Sequence, residues 1–222
     1  MEFWEILLII FGVILFVMLC VFIYANLPTS ITLGNRTPTV EYLKEGKLRL
    51  TETGKHVLTN PAVPASEIFK DGPVLLVVVR RPGCVLCRRE AGELSKLRTD
   101  LDARGVRLMG VVHETLGVEE FRPYLQGPIY YDEKKYFYGP NERWLPKWIG
   151  FLRVSTYLNG YKSHKAGYRG NMIGEGRLLG GVYLIDHDQF LYNHPERHWG
   201  DTANPNEILH AIQTMPTIQT VA

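Results

Sequence analysis

The sequence has few cysteines and little excess charge. It contains three cysteines in 222 residues, too few for a secreted domain held together by disulfides, and Cys20 lies in an apolar N-terminal segment. A formal net charge of +2 gives no reason to expect a nucleic acid or a strongly acidic partner. The hydrophobic content of 45% and the charged content of 22% are ordinary for a globular chain. The length therefore allows one domain with a sizeable core.

Charged residues are missing from Ile6 to Ala25, a run of 20 residues. As a helix rising 1.5 Å per residue, this run would span a hydrocarbon core of about 30 Å. A cleaved signal peptide is the alternative. The run, however, exceeds the usual apolar region of roughly 7 to 15 residues, follows Glu2 and Glu5 in place of basic residues, and precedes no clear small-x-small site. We therefore predict a transmembrane anchor over residues 1–26, with residues 6–25 inside the membrane.

The charges after this segment predict its orientation. Cations follow it at Arg36, Lys44, Lys47, Arg49 and Lys55. Because the cytoplasmic flanks of membrane spans carry the excess of lysine and arginine, we expect the globular part on the cytoplasmic side. The Asn35-Arg36-Thr37 sequon would be used only on the lumenal side, and it lies close to the membrane. A lumenal or secreted domain, through inverted topology or cleavage, is the alternative.

Proline and glycine indicate where the folded domain begins. Pro28, Gly34 and Pro38 predict a linker over residues 27–40. We assign residues 41–217 to one redox domain and residues 218–222 to a tail. The first elements predicted are a short helix at Thr39–Gly46, edge strands at Lys47–Leu50 and Val57–Leu58, and a helical turn from Ser66.

The central feature of the domain is a buried strand followed by two cysteines. Val74 to Val79 form an apolar, β-branched run typical of a parallel strand buried on both faces. Two arginines and a Pro-Gly turn end it, and Cys84 and Cys87 follow at CxxC spacing. From Val85 to Leu101 apolar residues recur at steps of three and four, which predicts a helix. Cys84 would thus lie at the first turn, with Cys87 one turn along on the same side.

This position predicts thiol chemistry. A thiolate attacks disulfides and peroxides, whereas a free cysteine with a pKa near 8.5 is mostly protonated at neutral pH. The unpaired N–H groups and the positive dipole end of a helix start stabilise an anion, and four arginines lie within a few residues. We predict that Cys84 is the nucleophile, with the lower pKa and the greater exposure, and that Cys87 is the resolving thiol. Arg81, and secondarily Arg80, would stabilise the thiolate, ordinary salt bridges being their alternative role.

Two other roles of the cysteine pair stay open. The pair could be small buried hydrophobes, or half of a Cys2His2 zinc site completed by His194 and His198, which stand at H-x3-H spacing. Zinc fingers separate their ligand pairs by about a dozen residues. Here more than a hundred residues intervene. We favour a polar surface loop, with Pro195 as its turn residue, for the two histidines.

The chain after the CxxC helix alternates strands and helices. We predict a C-cap at Gly105, a strand at Val106–Val112, a short helix at Val118–Leu125 and a strand at Ile129–Tyr131. This order is typical of right-handed βαβ units in a parallel sheet. The CxxC would then lie at the carboxyl end of a strand, where open α/β sheets place their sites.

The C-terminal half contains the remaining predicted elements. These are a core strand at Gly181–Asp186, a hairpin partner at Phe190–Tyr192, and a closing helix at Pro205–Met215 capped by Asn204. Trp144 to Leu158 is rich in aromatic residues. We favour a helix packed on the sheet for this stretch, and a helix lying on the membrane surface is the alternative.

A glycine-rich stretch, GYRGNMIGEGRLLGG, precedes the strand at Gly181. A nucleotide-binding loop would follow a strand and carry a phosphate-binding lysine and a serine or threonine, so the pattern excludes one. We expect a loop near the thiols that is either mobile or in close contact with its surroundings.

Four segments together resemble a known family. RRPGCVLCRREAGELSKL, GVRLMGVV, YYDEKKYFYGP and GNMIGEGRLLGGVYLI are similar to the peroxiredoxin-like 2 family, of the thioredoxin-like superfamily and AhpC/TSA-like. The resemblance covers about residues 40–215. It implies an α/β, thioredoxin-like (peroxiredoxin-like) central sheet flanked by helices, preceded here by the N-terminal transmembrane helix. It also implies a redox-active pair at Cys84 and Cys87 with an antioxidant or redox-regulatory role.

The resemblance further implies substrates and reductants. A sister branch reduces prostaglandin-type endoperoxides with thioredoxin or NADPH supplying electrons, so a lipid peroxide is an expected substrate. Two departures from the wider superfamily argue against efficient peroxidase or isomerase turnover. If Cys87 is aligned with the reactive cysteine of ordinary peroxiredoxins, Cys84 occupies the position of their threonine or serine. Thioredoxins carry a cis-proline just before the strand that faces the CxxC, where this sequence has Leu179-Gly180-Gly181. Dithiol–disulfide exchange is unaffected by both.

Two functional hypotheses follow from the sequence. The first is a membrane-anchored thiol oxidoreductase that reduces peroxides or protein disulfides. It uses an external dithiol such as thioredoxin or glutathione, with NADPH acting indirectly and no bound cofactor or metal. The second is a non-enzymatic adaptor whose Cys84–Cys87 redox state changes binding through the aromatic stretch. Neither hypothesis requires a nucleic acid.

Overall fold

A computed structural model describes residues 2–34, 37–52 and 56–215. The sequon at Asn35-Arg36, Lys55 and the predicted tail at residues 218–222 lie outside the described residues. The helices are α1 (Phe3–Asn26), α2 (Thr29–Thr32), α3 (Val40–Lys44), α4 (Ala65–Lys70), α5 (Val85–Ser95), α6 (Arg98–Ala103), α7 (Val118–Phe121), α8 (Lys147–Leu152), α9 (Val154–Lys165) and α10 (Pro205–Gln213). Short 3-10 turns occur at Val57–Thr59, Arg122–Tyr124 and Tyr136–Tyr138.

The strands form one mixed sheet. They are β1 (Lys47–Leu50), β2 (Ala62–Pro64), β3 (Val74–Val79), β4 (Arg107–Val112), β5 (Ile129–Tyr131), β6 (Gly181–Asp186) and β7 (Gln189–Pro195). Their order across the sheet is β2-β1-β5-β4-β3-β6-β7. The predicted parallel core is confirmed, since β3 pairs in parallel with β4 and β4 with β5. The β6–β7 hairpin adds antiparallel strands on the other side of β3.

Strand β3 is buried on both faces, as predicted. Alternate side chains of a strand point to opposite faces of the sheet. Leu75, Val77 and Val79 accordingly pack in the core layer under α5 and α10. Val74, Leu76 and Val78 pack in the opposite layer with residues of α3 and α4. The carboxyl end of β3 therefore enters the CxxC turn from a rigid, fully buried element.

Two predicted elements differ from the structure. Val57–Leu58 is part of a 3-10 turn and not an edge strand, because the chain following it, at β2, pairs with β1. The side chain of Asn60 fixes this arrangement by donating to the Leu50 carbonyl over 2.7 Å. The long CxxC helix is divided into α5 and α6, although Leu97 at the break remains buried in the same core.

The aromatic stretch does not form the single helix packed on the sheet that we favoured. It consists of α8 and α9, which are separated by Arg153 in an extended conformation. Helix α8 buries Ile149 and Gly150, whereas Ser163 is the sole buried residue of α9. The two helices therefore present most of their large apolar side chains to the outside.

Helix α1 is long and apolar enough to cross a membrane, and its position near the N-terminus is also that of a signal sequence. Its C-terminal end contacts the domain. The Tyr24 ring stacks on Trp148 at a centroid distance of 6.1 Å, and Ala25 is fully buried in the core. Asn26 donates from Nδ2 to the Leu152 carbonyl over 3.1 Å, and its Oδ1 accepts from the Val154 N–H over 3.1 Å. The segment predicted as a linker continues these contacts, since Arg153 donates to the Leu27 carbonyl.

Candidate active site

The cysteine pair lies where β3 gives way to α5. Cys84 is the N-cap residue of α5, in an extended backbone conformation, and Cys87 lies in its first turn. The Cys84 N–H donates to the Arg81 carbonyl over 3.1 Å, and the Cys84 carbonyl accepts from the Arg88 N–H over 3.0 Å. The structure therefore places both thiols at the carboxyl edge of the parallel strands, where the sequence predicted them.

Both thiols are buried. Cys84 is 4% exposed and Cys87 is 7% exposed, so the prediction that Cys84 is the more exposed of the two is wrong. The physical reason is the predicted glycine-rich loop, which covers the turn before α5. The Asn171 N–H donates to the Gly83 carbonyl over 2.7 Å. Gly170 approaches so closely that a Cβ there would lie 2.4 Å from the Val85 nitrogen.

Arg80 makes the direct contact with the nucleophile candidate. Its Nη2 donates to Cys84 Sγ over 3.3 Å, and its Nε donates to Glu196 Oε1 over 3.1 Å. Its Nη1 donates to the Gly176 carbonyl over 3.0 Å, and the guanidinium lies 5.4 Å from the centre of the Trp199 ring. Arg80 is 2% exposed, so its orientation is fixed by these four contacts.

Arg81, which we predicted to be the main residue stabilising the thiolate, has a different set of partners. Its Nη1 donates to the Met172 carbonyl over 3.2 Å, and its Nη2 donates to the Asn171 carbonyl over 3.3 Å. Its charge still lowers the pKa of Cys84 through space. Arg81 therefore holds the glycine-rich loop over the site, and the hydrogen bond to the sulfur comes from Arg80.

The two cysteines have opposite pKa directions. A hydrogen bond from Cys87 lowers the pKa of Cys84 well below its usual range, despite burial, and the charges of Arg80 and Arg81 act in the same direction. The same hydrogen bond, together with burial, raises the pKa of Cys87. The arrangement stabilises a thiolate on Cys84 beside a protonated thiol on Cys87.

A cleft of about 500 Å³ leads to Cys84. Its walls come from α8, α9, the glycine-rich loop and the start of α5, and they include Cys84, Phe151, His164, Met172 and Trp199. Cys87 is not among the residues that line it. A molecule in the cleft therefore meets Cys84 and not Cys87.

The two histidines of the zinc alternative have other partners. The surface loop that we favoured is wrong for His194 and Pro195, because both belong to β7 and pair with β6. His194 Nε2 lies 3.4 Å from Asp201 Oδ2, and His198 Nδ1 lies 3.4 Å from Ser155 Oγ. Asp201 raises the pKa of His194 against the effect of burial. Over residues 2–34, 37–52 and 56–215, no three His, Cys, Asp or Glu side chains are placed to share a metal ion.

Glu196 and Trp199 are site residues that the sequence analysis missed. Glu196 is buried and accepts from the Gly180 N–H over 3.2 Å as well as from Arg80. Both lie in the HPERHWGD segment, which we had read only for its histidine spacing. Because the surrounding segment is rich in charged residues, the local sequence did not predict that this glutamate and this tryptophan are buried.

Similarity to known proteins establishes the family. The chain is 37% identical over 182 residues to peroxiredoxin-like 2A of Mus musculus, covering 80% of this chain and 81% of that protein. It is 43% identical over 153 residues to peroxiredoxin-like 2A of Gallus gallus, covering 67% of this chain and 68% of that protein. The chain belongs to the peroxiredoxin-like 2 family. The resemblance inferred from the four sequence segments is thus confirmed.

The wider superfamily is supported independently. The family described as AhpC/TSA antioxidant enzyme matches residues 93–198, a range that begins after Cys87. Peroxidoxin BcpB from Mycobacterium tuberculosis superimposes with a TM-score of 0.50 at 14% identity, covering 82% of this chain and 99% of that chain. Peroxiredoxin 6 of Arenicola marina gives 0.50 at 14% identity, covering 81% and 73%. The peroxiredoxin-like 2 chain therefore has the predicted thioredoxin-like fold, and family and fold support a thioredoxin-like redox function.

Proposed function

We propose that this protein is a thiol oxidoreductase in which Cys84 attacks the substrate and Cys87 resolves the product. The observation that carries the proposal is that Cys84 lines the cleft whereas Cys87 does not. The hydrogen bond from Arg80 and the lowered pKa of Cys84 support the same assignment. Arg81 assists by adding positive charge and by holding the loop that forms one wall of the cleft.

The first substrate class is a peroxide, which oxidises the two thiols and is itself reduced. The Cys84 thiolate attacks one peroxide oxygen, the O–O bond breaks, and the leaving alkoxide takes a proton to become an alcohol. The Cys87 sulfur then attacks the Cys84 sulfenic acid, forming the 84–87 disulfide, and the hydroxyl leaves as water with the Cys87 proton. An external dithiol such as thioredoxin or glutathione restores both thiols and is itself oxidised, with NADPH as the final electron source.

A protein disulfide is the other substrate class for the same site. The Cys84 thiolate would attack one sulfur of that disulfide and displace the second as a thiolate, giving a mixed disulfide. Cys87 then attacks Cys84 and releases the reduced protein. Thiolate stabilisation by Arg80 serves both reactions, because both begin with the same nucleophile.

We also propose that α1 stays attached as a membrane anchor. The support is the participation of its last turn in the fold: Ala25 is fully buried and Asn26 bonds to the junction of α8 and α9. Cleavage as a signal peptide would remove these contacts. The excess of lysine and arginine after α1 supports a cytoplasmic position of the domain in this proposal.

Three cysteine variants of the full chain in lipid nanodiscs test the redox proposal. We expect Cys84→Ser to abolish peroxide consumption coupled to NADPH through thioredoxin and its reductase. Cys87→Ser should stop turnover and leave a Cys84 sulfenic acid that dimedone traps. Cys20→Ser is the matched control and should behave as the wild type, because Cys20 lies exposed on α1.

Full activity of Cys84→Ser would contradict the assignment of the nucleophile. Mass spectrometry after one equivalent of peroxide provides a second readout, since the disulfide lowers the mass by two hydrogens. Disulfide formation without turnover would favour the redox-sensing adaptor. Inert thiols with stoichiometric zinc would mean that Cys84 and Cys87 are structural.

A further inference from the structure

Helices α8 and α9 present a largely exposed apolar surface, which we call the α8–α9 face. Its side chains are between 38% and 68% exposed. They are Trp148, Phe151, Leu152, Val154, Tyr157, Leu158 and Tyr161. A contiguous set of large exposed aromatic and aliphatic residues on a folded domain indicates an interaction surface.

The sequence of α8, α9 and the start of the following loop carries charge of one sign. From residue 143 to residue 174 the sequence contains no aspartate or glutamate. The same stretch carries six lysines and arginines, at Arg143, Lys147, Arg153, Lys162, Lys165 and Arg169. Arg143 and Arg153 are buried, whereas the other four cations are exposed. The two helices and the loop after them therefore combine apolar side chains with exposed positive charge, which complements a negatively charged partner.

The face is continuous with the predicted membrane span. Tyr24, in the last turn of α1, stacks on Trp148 of α8, and Asn26 bonds to the carbonyl of Leu152 and the N–H of Val154. The point where α1 leaves the bilayer is therefore also the point where the α8–α9 face begins. A surface held at that point is brought to the lipid headgroups by the chain itself.

We propose that the α8–α9 face docks on the surface of the membrane that α1 enters, with an anionic lipid bilayer as its partner. This inference rests on the proposed role of α1 as an anchor. Tryptophan and tyrosine favour the level of the headgroups, and lysine and arginine near the surface are attracted by anionic lipids. Helices of this composition lie in the plane of the interface.

Docking fixes the position of the redox site. Lys147 and Phe151 of α8 and His164 of α9 line the cleft that reaches Cys84. Met172, in the loop on the other side of the cleft, is also strongly exposed. The mouth of the cleft is therefore held at the lipid surface, and the redox domain cannot rotate freely about the end of α1.

A fluorescent label on the full chain tests the docking without any need for turnover. In a variant lacking Cys20, Cys84 and Cys87, an environment-sensitive NBD label is attached at Leu158→Cys or, as the matched control, at Leu58→Cys. The two leucines are 56% and 50% exposed, and Leu58 lies in the 3-10 turn beside β1. The nanodiscs contain phosphatidylserine and a lipid with a shallow doxyl quencher.

We expect the label at Leu158 to emit at shorter wavelength and to lose most of its emission to the doxyl lipid, whereas the label at Leu58 behaves as in water. Quenching should decrease in nanodiscs of phosphatidylcholine alone and in a Lys162→Glu, Lys165→Glu variant. If the Leu158→Cys chain does not fold, as judged by circular dichroism, the label moves to Tyr161→Cys, which is 68% exposed.

Two results would overturn the proposal. Quenching at Leu158 that is as weak as at Leu58 would mean that the face stays in water. A shift to shorter wavelength without doxyl quenching would mean that a second copy or another protein covers the face. Because the labelled chain has no redox cysteines, neither result bears on the assignment of Cys84 and Cys87, and loss of peroxide turnover in other variants does not bear on docking.

Discussion

The guanidinium of Arg80 donates a hydrogen bond of 3.3 Å to Cys84 Sγ across the turn that joins β3 to α5. Its other N–H groups are held by Glu196 and by the Gly176 carbonyl, so the cation does not need to reorganise when a thiolate forms. In a buried site such a charge is poorly screened by water and acts strongly on the sulfur. The turn therefore contains a preorganised cation for the Cys84 thiolate.

Replacing Arg80 should slow the reaction of Cys84. Arg80→Gln removes a hydrogen bond to a charged group, worth about 1.5 to 3 kcal/mol, which corresponds to a rate lower by about 10- to 150-fold at neutral pH. The pKa of Cys84 should rise. Stopped-flow kinetics with peroxide and the thiolate absorbance at 240 nm as a function of pH measure the two effects.

Arg81→Gln is the matched control for this prediction. It removes a neighbouring cation that affects Cys84 only through space and bonds to the loop carbonyls of Asn171 and Met172. We expect a smaller loss of rate than for Arg80→Gln, and Arg80→Lys should restore part of the activity because it keeps the charge. A larger effect at Arg81 than at Arg80 would show that the contact at 3.3 Å is unimportant.

The buried ion pair of Arg80 and Glu196 should be sensitive to removal of one partner. Glu196→Ala leaves the guanidinium without its counter-charge and is expected to destabilise the fold by about 3 to 5 kcal/mol. Glu175→Ala, which breaks the exposed ion pair with Arg177 at 2.8 Å, should destabilise the fold far less, because water screens that pair. Chemical denaturation in detergent compares the two variants, and equal stability losses would contradict the distinction.

The position of Arg80 illustrates what the sequence could and could not predict. Strand β3, the CxxC turn and the start of α5 follow from local patterns, because each depends on neighbours within a few residues. The partner of Arg80 lies 116 positions along the chain, at Glu196. Local patterns carry no such information, and the prediction that Arg81, before Arg80, stabilises the thiolate had no means of identifying which arginine bonds to the sulfur.

The burial of the thiols has the same kind of cause. The sequence predicts a glycine-rich loop near the cysteines, and the hydrogen bond from Asn171 to Gly83 confirms that the loop approaches them. How completely that loop covers Cys84 depends on backbone contacts between segments nearly ninety residues apart. The prediction for the aromatic stretch was wrong for a related reason. An apolar helix that faces outward and one that is buried have similar composition, so the sequence alone does not distinguish them.

Glu90 should make the protein less stable as the pH rises. Burial, and secondarily repulsion from Glu196, raises the pKa of Glu90 to about 7 from an ordinary 4.5. The folded state then binds more protons than the unfolded state between these values, so stability decreases from about pH 4.5 to about pH 7 and stays lower above. Glu90→Gln should remove this loss, a gain of about 2 to 3 kcal/mol at pH 8 with little change at pH 4. Urea unfolding at the two pH values measures it.

Glu93→Gln is the control of opposite sign. The hydrogen bond from Lys96 lowers the pKa of Glu93, so this carboxylate contributes stability above its ordinary pKa and loses it as the pH falls. Its replacement should therefore lower stability at pH 8 and have little effect in acid. A gain at pH 8 from both variants would mean that a general reduction of negative charge, and not the half-buried position of Glu90, is responsible.

Gly170 lies in close contact with the backbone of Gly83 and Val85, which flank Cys84. A Cβ at this position would lie 2.4 Å from the Val85 nitrogen and 2.7 Å from the Gly83 carbonyl oxygen, both backbone atoms that cannot rotate away. Gly170→Ala should therefore displace the loop, at about 1 to 3 kcal/mol of stability, and uncover Cys84. We expect faster reaction of the thiols with the bulky reagent DTNB. Gly160→Ala is the matched control, since it lines the same cleft with no atom within 4 Å of the added Cβ. Equal DTNB rates in the two variants would show that the loop does not limit access to the sulfur.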